Sequence, residues 1–276
     1  MALLDNKDVY STVEFDFWAQ RERLLPEEEF VIRQYLNPGL KTLEAGTAGG
    51  RIVLEMQRMG FSDLRGFDFV PSFIEQARRR DTSGSIYFDV QDARRLDYPD
   101  ASFDQILYLQ QILNLIEDEQ DRLAALGEAR RILAPGGTAL FSFLSYEARR
   151  ASPMYAMLLV YIRLLRALGR FCRSPQLLPW LRLGGRFNWA ALLDRGPHVY
   201  WYRAEEIETL LRQAGFEIIG LGTNRQIAER LLCSSASELY AKGLRGVLYC
   251  VCRKPDDRPV TSSDQPTQPA PTKGRR

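Results

Sequence analysis

The stretch TLEAGTAGGRI, residues 42–52, sets an acid and a group of glycines between an apolar run and a helical pattern. A strand, a glycine-rich turn and a helix leave backbone N–H groups free to meet an anionic or polar ligand group. Spacing discriminates among ligands. A dinucleotide turn of the form GxGxxG, counted from Gly46, needs glycine at 48 and 51, where this chain has Ala48 and Arg51. A Walker loop needs GKS or GKT, which the chain lacks. Other chemistry-bearing residues are sparse. The only histidine is His198, and the cysteines, Cys172, Cys233, Cys250 and Cys252, form no CxxC pair. That inventory gives no zinc spacing, so no metal is expected, and the thiols read as reduced.

The elements that must position this turn are legible as alternation. LKTLEAG, LRGFDF, SIYFDVQD, FDQILYL and TALFSFL read as strands. RIVLEMQRMG, SFIEQARRR and EDEQDRLAALGEARRIL read as helices between them, the last with acids at its start and arginines at its end. PGG at 135–137 reads as the break before the fifth strand. A further helix, AEEIETLLRQAG, precedes two strands, FEIIGLG and LRGVLYCVCR, close enough to form an antiparallel edge. The pattern predicts an α/β fold: a Rossmann-like, seven-stranded, mostly parallel sheet with an antiparallel last strand and helices on both faces. Residues 1–39 read as a helical, aromatic cap, 40–253 as the main domain with a helical insertion at 146–200, and 254–276 as a disordered Pro/Ser/Thr-rich tail.

Glu44, Gly46 and Gly50 resemble the ExGxGxG turn of class I S-adenosylmethionine-dependent methyltransferases, with Ala48 in place of the middle glycine. LRGFDFVPSFIEQARRR, FDVQDARRLDYPDASFDQILYL, EARRILAPGGTALFSF and RAEEIETLLRQAGFEIIG resemble later segments of that family in the same order. The resemblance implies S-adenosylmethionine as cofactor. It assigns Glu44, Gly46, Thr47 and Gly50 to the turn, and Asp68 with Phe69 to the strand end that receives the ribose hydroxyls. Asp92 would face the adenine amino group, with the Ala93 N–H beside the ring. Apart from the resemblance, Gln110 and Gln111 follow the fourth strand, at the carboxyl ends where such sheets bind ligands, and are candidates to contact cofactor or acceptor. Ala48 fits if its φ is negative. His198, just before the closing helix, is the candidate base, with Tyr10, Tyr200 and Tyr202 as candidates for orienting the substrate.

The insertion has its own composition. No Asp or Glu lies between Glu147 and Asp194, and eight arginines fall within residues 149–186. At about 100° per residue, Arg163, Arg166, Arg170 and Arg173 fall within one arc, opposite Met154, Met157, Leu158, Tyr161, Leu164, Leu165 and Leu168. One expectation is a lid helix that buries the apolar side and solvates its arginines. The other is an apolar, basic surface over 153–192 that meets a membrane or a lipophilic acceptor. The family's insertions at this point imply that the segment shapes the acceptor pocket. The near-balanced net charge of +2 and the lack of an RNA-binding module argue against nucleic acid. The N-terminus has no basic segment followed by an apolar run, so a cytoplasmic protein is expected, peripheral at the inner membrane face if the surface reading holds. The leading expectation is methyl transfer to a small, lipophilic acceptor. The alternative is a non-catalytic cofactor-binding module docked on a partner or membrane.

Overall fold

The computed structural model describes residues 6–169 and 173–256. Arg170, Cys172 and the expected tail beyond residue 256 lie outside the described residues. Three helices form the N-terminal cap: α1 (Asn6–Ser11), α2 (Phe15–Gln20) and α3 (Pro26–Tyr35). The alternating core follows as β1 (Thr42–Ala45), α4 (Arg51–Arg58), β2 (Leu64–Asp68), α5 (Pro71–Arg80), β3 (Tyr87–Val90), β4 (Phe103–Tyr108), α6 (Glu119–Ile132) and β5 (Leu133–Leu144). Local chemistry sets these boundaries. Pro71 opens α5, and Asp118 caps α6 by accepting from the N–H groups of Gln120 and Asp121.

The insertion holds α7 (Tyr146–Arg150), α8 (Pro153–Gly169) and four short strands: β6 (Leu177–Pro179), β7 (Arg182–Leu183), β8 (Arg186–Phe187) and β9 (His198–Tyr200). β6 pairs with β9, and β7 with β8. The chain ends through α9 (Ala204–Gln213), β10 (Glu217–Thr223), α10 (Asn224–Ala228), α11 (Ala236–Lys242) and β11 (Val247–Arg253). The seven-stranded sheet has the order β10-β11-β5-β4-β1-β2-β3. β11 runs antiparallel to both neighbours, and every other pairing is parallel. Central strands are buried on both faces, as parallel sheets require. Along β4, Ile106 and Tyr108 join the cluster packed on α6 and α9, while Leu107 and the following Leu109 join the one packed on α3, α4 and α5.

Four details differ from the sequence expectation. PGG does not precede the fifth strand but lies inside β5, where the pairing with β4 slips between Phe103 and Gln105 and Gly136 takes a φ of +75°. Two helices, α10 and α11, fill the connection between the last two strands. Lys254, assigned to the tail, is buried and donates to the carbonyls of Arg130 and Leu133. The fourth is the polarity of α8, which is inverted. Its buried residues are Leu159, Ile162 and Arg166, while Met157 is 74% and Leu168 85% exposed. Arg166 is inside because Asp194 takes two of its N–H groups at 2.7 and 2.8 Å and the carbonyls of Ser174 and Leu177 take others at 2.7 and 2.6 Å. A guanidinium saturated this way can be buried, and it pins the apolar side outward.

Candidate functional site

The sheet order reverses between β1 and β4, and a cavity of about 390 Å³ opens at the carboxyl ends of the strands there. Such a switch point is where open α/β sheets bind ligands. The turn after β1 forms its floor. Gly46 has a φ of +64°, and a Cβ on it would stand 2.1 Å from Ile112 Cδ1. Gly50 has a φ of +80° at the entry of α4. A Cβ on Gly49 would lie 2.1 Å from the Ala19 carbonyl oxygen, because α2 of the cap rests directly on the turn. Ala48 has a φ of +46°, not the negative value expected of it. That left-handed conformation costs an alanine about 1 kcal/mol. The Ala48 N–H is fixed by a 2.9 Å bond to Asp68 Oδ2.

Asp68 ends β2 and is buried. Its other oxygen accepts from the Val70 N–H at 3.0 Å. Burial pushes its carboxyl up to about 6, against the pull of the Val70, Ala48 and Phe69 N–H groups. Glu44, beneath the turn, accepts from the Thr47 hydroxyl at 2.6 Å and the Val53 N–H at 3.3 Å. Burial holds it up at about 7, opposed by Thr47 and Arg51. Both carboxyls sit where further donors would stabilise their charged forms.

Arg51 turns inward. It forms two bonds with Glu28 of α3, at 2.6 and 2.8 Å, and a third to the Arg23 carbonyl at 2.8 Å. Gln110 also donates to Glu28 and accepts from Arg21. Gln110 and Gln111 hold successive φ values of +61° and +60°, a strained pair at the end of β4. Asp92 and Ala93 line the far side of the cavity. The Asp92 carboxylate is not free: Arg94 grips it at 2.6 Å, reaches on to Asp121, and holds it below the usual carboxylate range.

The structure therefore brings Glu44, Gly46, Thr47, Asp68, Phe69, Asp92, Ala93 and Gln110 to one cavity, with Gly50 just behind its wall. It does not bring His198 there. His198 is buried in the insertion, where Arg173 Nη1 lies 2.9 Å and Asp194 Oδ1 3.4 Å from its Nε2. Burial and Arg173 lower its pKa. Tyr200 bonds to Glu206, and neither Tyr200 nor Tyr202 lines the cavity. None of the described insertion residues does. The cap supplies that wall instead, through Asn6, Lys7, Tyr10 and Trp18. Two of these carry buried polar atoms with no partner, Asn6 Oδ1 and Trp18 Nε1. Such orphans are rare unless a ligand satisfies them. With the buried Asp68 carboxylate opposite, the lining offers both donors and acceptors to a polar ligand. Sequence reading missed Asn6 and Glu28, and reached Trp18 only as one of the cap's aromatics. The aromatic content of the cap was the one available signal, and nothing distinguishes Glu28 from its neighbours Glu27 and Glu29.

Residues 42–137 match the family described as the methyltransferase domain. A demethylmenaquinone methyltransferase of Deinococcus radiodurans is 35% identical over 100 residues, 35% of this chain and 40% of that protein. A ubiquinone biosynthesis O-methyltransferase of Xanthomonas campestris is 28% identical over 166 residues, covering 56% of this chain and 65% of the relative. The chain thus spans less than two thirds of the length of these curated relatives. Among solved structures, an S-adenosylmethionine-dependent methyltransferase of Methanosarcina mazei superposes with a TM-score of 0.59 at 19% identity, covering 82% of this chain and 98% of the other. That likeness is one of fold. The methyltransferase domain matched over residues 42–137, the strand order and the glycine turn all agree with the fold of class I S-adenosylmethionine-dependent methyltransferases.

Proposed function

We propose that this chain transfers a methyl group from S-adenosylmethionine to a small, lipophilic acceptor. The observation that carries the reading is the Asp68 carboxylate, buried at the strand end in the cavity wall and held in place by the backbone N–H groups of Ala48, Phe69 and Val70. In this role Asp68 accepts the ribose hydroxyls. Asp92 and Ala93 meet the adenine, and the turn from Gly46 to Gly50 receives the methionyl end with Gln110 beside it. When bound, the cofactor supplies a methyl group already activated on a sulfonium, so the protein's task is to align a nucleophile and exclude water.

The cap performs that exclusion. Tyr10 and Trp18 close the cavity, with Phe69, Phe73, Ile112, Leu115 and Ile116 as its apolar lining. Burial, with Glu14 and Asp68 nearby, pushes the Tyr10 hydroxyl far up, so it orients an acceptor as a hydrogen-bond donor rather than removing a proton. We assign no proton transfer to His198. Support for a lipophilic acceptor comes from this lining and from relatives named for demethylmenaquinone and ubiquinone.

Calorimetry with S-adenosylhomocysteine tests the cofactor part. Asp68→Ala is expected to weaken binding by about 3 kcal/mol, roughly two orders of magnitude, for the loss of charge-assisted bonds. Labelled methyl transfer to a panel of hydroxylated quinones and phenols tests the acceptor part. Failure of the wild-type protein to bind either S-adenosylmethionine or S-adenosylhomocysteine would end the proposal.

A further inference from the structure

The inverted helix of the insertion leaves an apolar surface with no partner in the fold. On α8, Met154, Met157, Val160, Tyr161, Leu164 and Leu168 are all exposed. At 100° per residue they fall within an arc of about 120°, and the buried Leu159, Ile162 and Arg166 lie on the opposite side. The surface continues beyond the helix. The Tyr161 hydroxyl donates to the Leu192 carbonyl at 2.7 Å, which sets α8 beside the 3-10 helix Trp189–Leu193. Trp189, 75% exposed, stacks edge-on against exposed Phe187 of the β7–β8 hairpin at 4.9 Å. The same hairpin carries exposed Arg182 and Arg186. Soluble surfaces rarely carry so many contiguous large apolar side chains without an interaction to make.

We infer that this face docks on an anionic phospholipid surface, with the apolar side chains of α8 and Trp189 in the acyl boundary and the hairpin arginines at the headgroups. Charge selects this occupant. Residues 148–193 contain no acid, exposed Arg163 lies on α8, and exposed Arg182 and Arg186 lie on the hairpin that carries Phe187. A second copy of the chain would press the same cationic face against itself, as a two-fold interface requires. A bilayer containing anionic lipid complements it, and Trp and Tyr favour the boundary between hydrocarbon and water. No helix among the described residues is long and apolar enough to cross a membrane, so the contact is peripheral.

The docking inference stands independently of methyl transfer, and its test separates the two. Wild-type protein is sedimented with vesicles of phosphatidylcholine and phosphatidylglycerol in equal parts, and with vesicles of phosphatidylcholine alone. The triple change Met157→Gln, Leu164→Gln and Leu168→Gln keeps helix-forming residues at exposed positions and should lower partitioning about a hundred-fold. Arg182→Gln with Arg186→Gln, on a separate element, should lower binding to the anionic vesicles by about five-fold per arginine. Circular dichroism and S-adenosylhomocysteine binding report whether each variant is folded, and the hairpin pair decides the matter if the triple variant is not. Wild-type protein left in the supernatant with anionic vesicles overturns the inference. So does equal pelleting of wild type and the folded variants. A vesicle-free dimer that dissociates in the triple variant also overturns it, assigning the face to self-association.

Discussion

Glu28→Gln is the perturbation that most directly probes how the site is held. The Glu28 carboxylate is buried and receives four donors: two N–H groups of Arg51, the Gln110 side-chain amide and the Leu25 backbone N–H. Glutamine keeps the shape but offers one oxygen instead of two, and its NH2 must face a donor. Arg51 then remains buried with its charge uncompensated. Breaking a buried pair from one side costs about 3–5 kcal/mol. At roughly 2–4 °C per kcal/mol for a domain of this size, Tm should fall by about 6–20 °C. Thermal unfolding followed by circular dichroism reads this directly, with urea melts as a check on two-state behaviour. The reasoning makes a second, stricter demand. Glu28→Leu combined with Arg51→Met removes both charges and should recover most of the loss, because the pair's desolvation cost disappears with it. A fall below about 1 kcal/mol in the single variant, or a double variant no more stable than the single, would refute the view of Glu28 and Arg51 as one buried unit.

Cofactor affinity should depend on pH through Asp68. Burial raises its carboxyl to about 6, and if the charged form receives the ribose hydroxyls as proposed, S-adenosylhomocysteine binding should weaken as pH falls through 6. Asp68→Asn should flatten that slope, and a wild-type titration that is flat between pH 5 and 8, a range spanning the shifted carboxyls, would contradict it. Gly49→Ala should push α2 off the turn, since the new Cβ meets the Ala19 carbonyl. Faster limited proteolysis of the cap and weaker ligand binding are the expected readouts. Ala48→Gly should raise stability by about 0.5 kcal/mol, the relief of a left-handed alanine less glycine's greater chain entropy. A lower Tm than wild type would show the conformation to be unstrained.

What was legible in the sequence was what local pattern encodes. β1 to β5 and α4 to α6 follow from apolar period, caps and turn residues, and the order of the singled-out residues along those elements places most of them at one cavity. What was not legible depended on partners distant in the chain. An arginine at 166 reads as solvated until Asp194 is known to lie beside it, and that one pairing reverses which side of α8 is buried. Arg51 reads as an obstacle to a dinucleotide, and in the fold it is the internal cation that anchors α3 beneath the turn. Gly49 reads as one more flexible residue, yet its requirement comes from a carbonyl 30 positions earlier.

The insertion illustrates the same point at the scale of function. It was expected to shape an acceptor pocket, and none of its described residues lines the cavity. Its contacts are with the cap instead. Trp180 packs edge-on against Tyr10 at 5.7 Å, the Gly184 N–H donates to Glu14 at 2.6 Å, and the His198 carbonyl accepts from Asn6 at 3.0 Å. Tyr10 and Asn6 are themselves wall residues of the cavity. A force applied to the outer face of the insertion therefore reaches the site through three named contacts, all of them on α1 or the turn that follows it. Access to the cavity is then expected to depend on how firmly the insertion holds the cap. Loosening that grip, by Trp180→Ala, should raise the rate of S-adenosylhomocysteine release while leaving the residues that bind it in place. Stopped-flow displacement measures that rate, and an unchanged value would mean that the cap closes the cavity without help from the insertion.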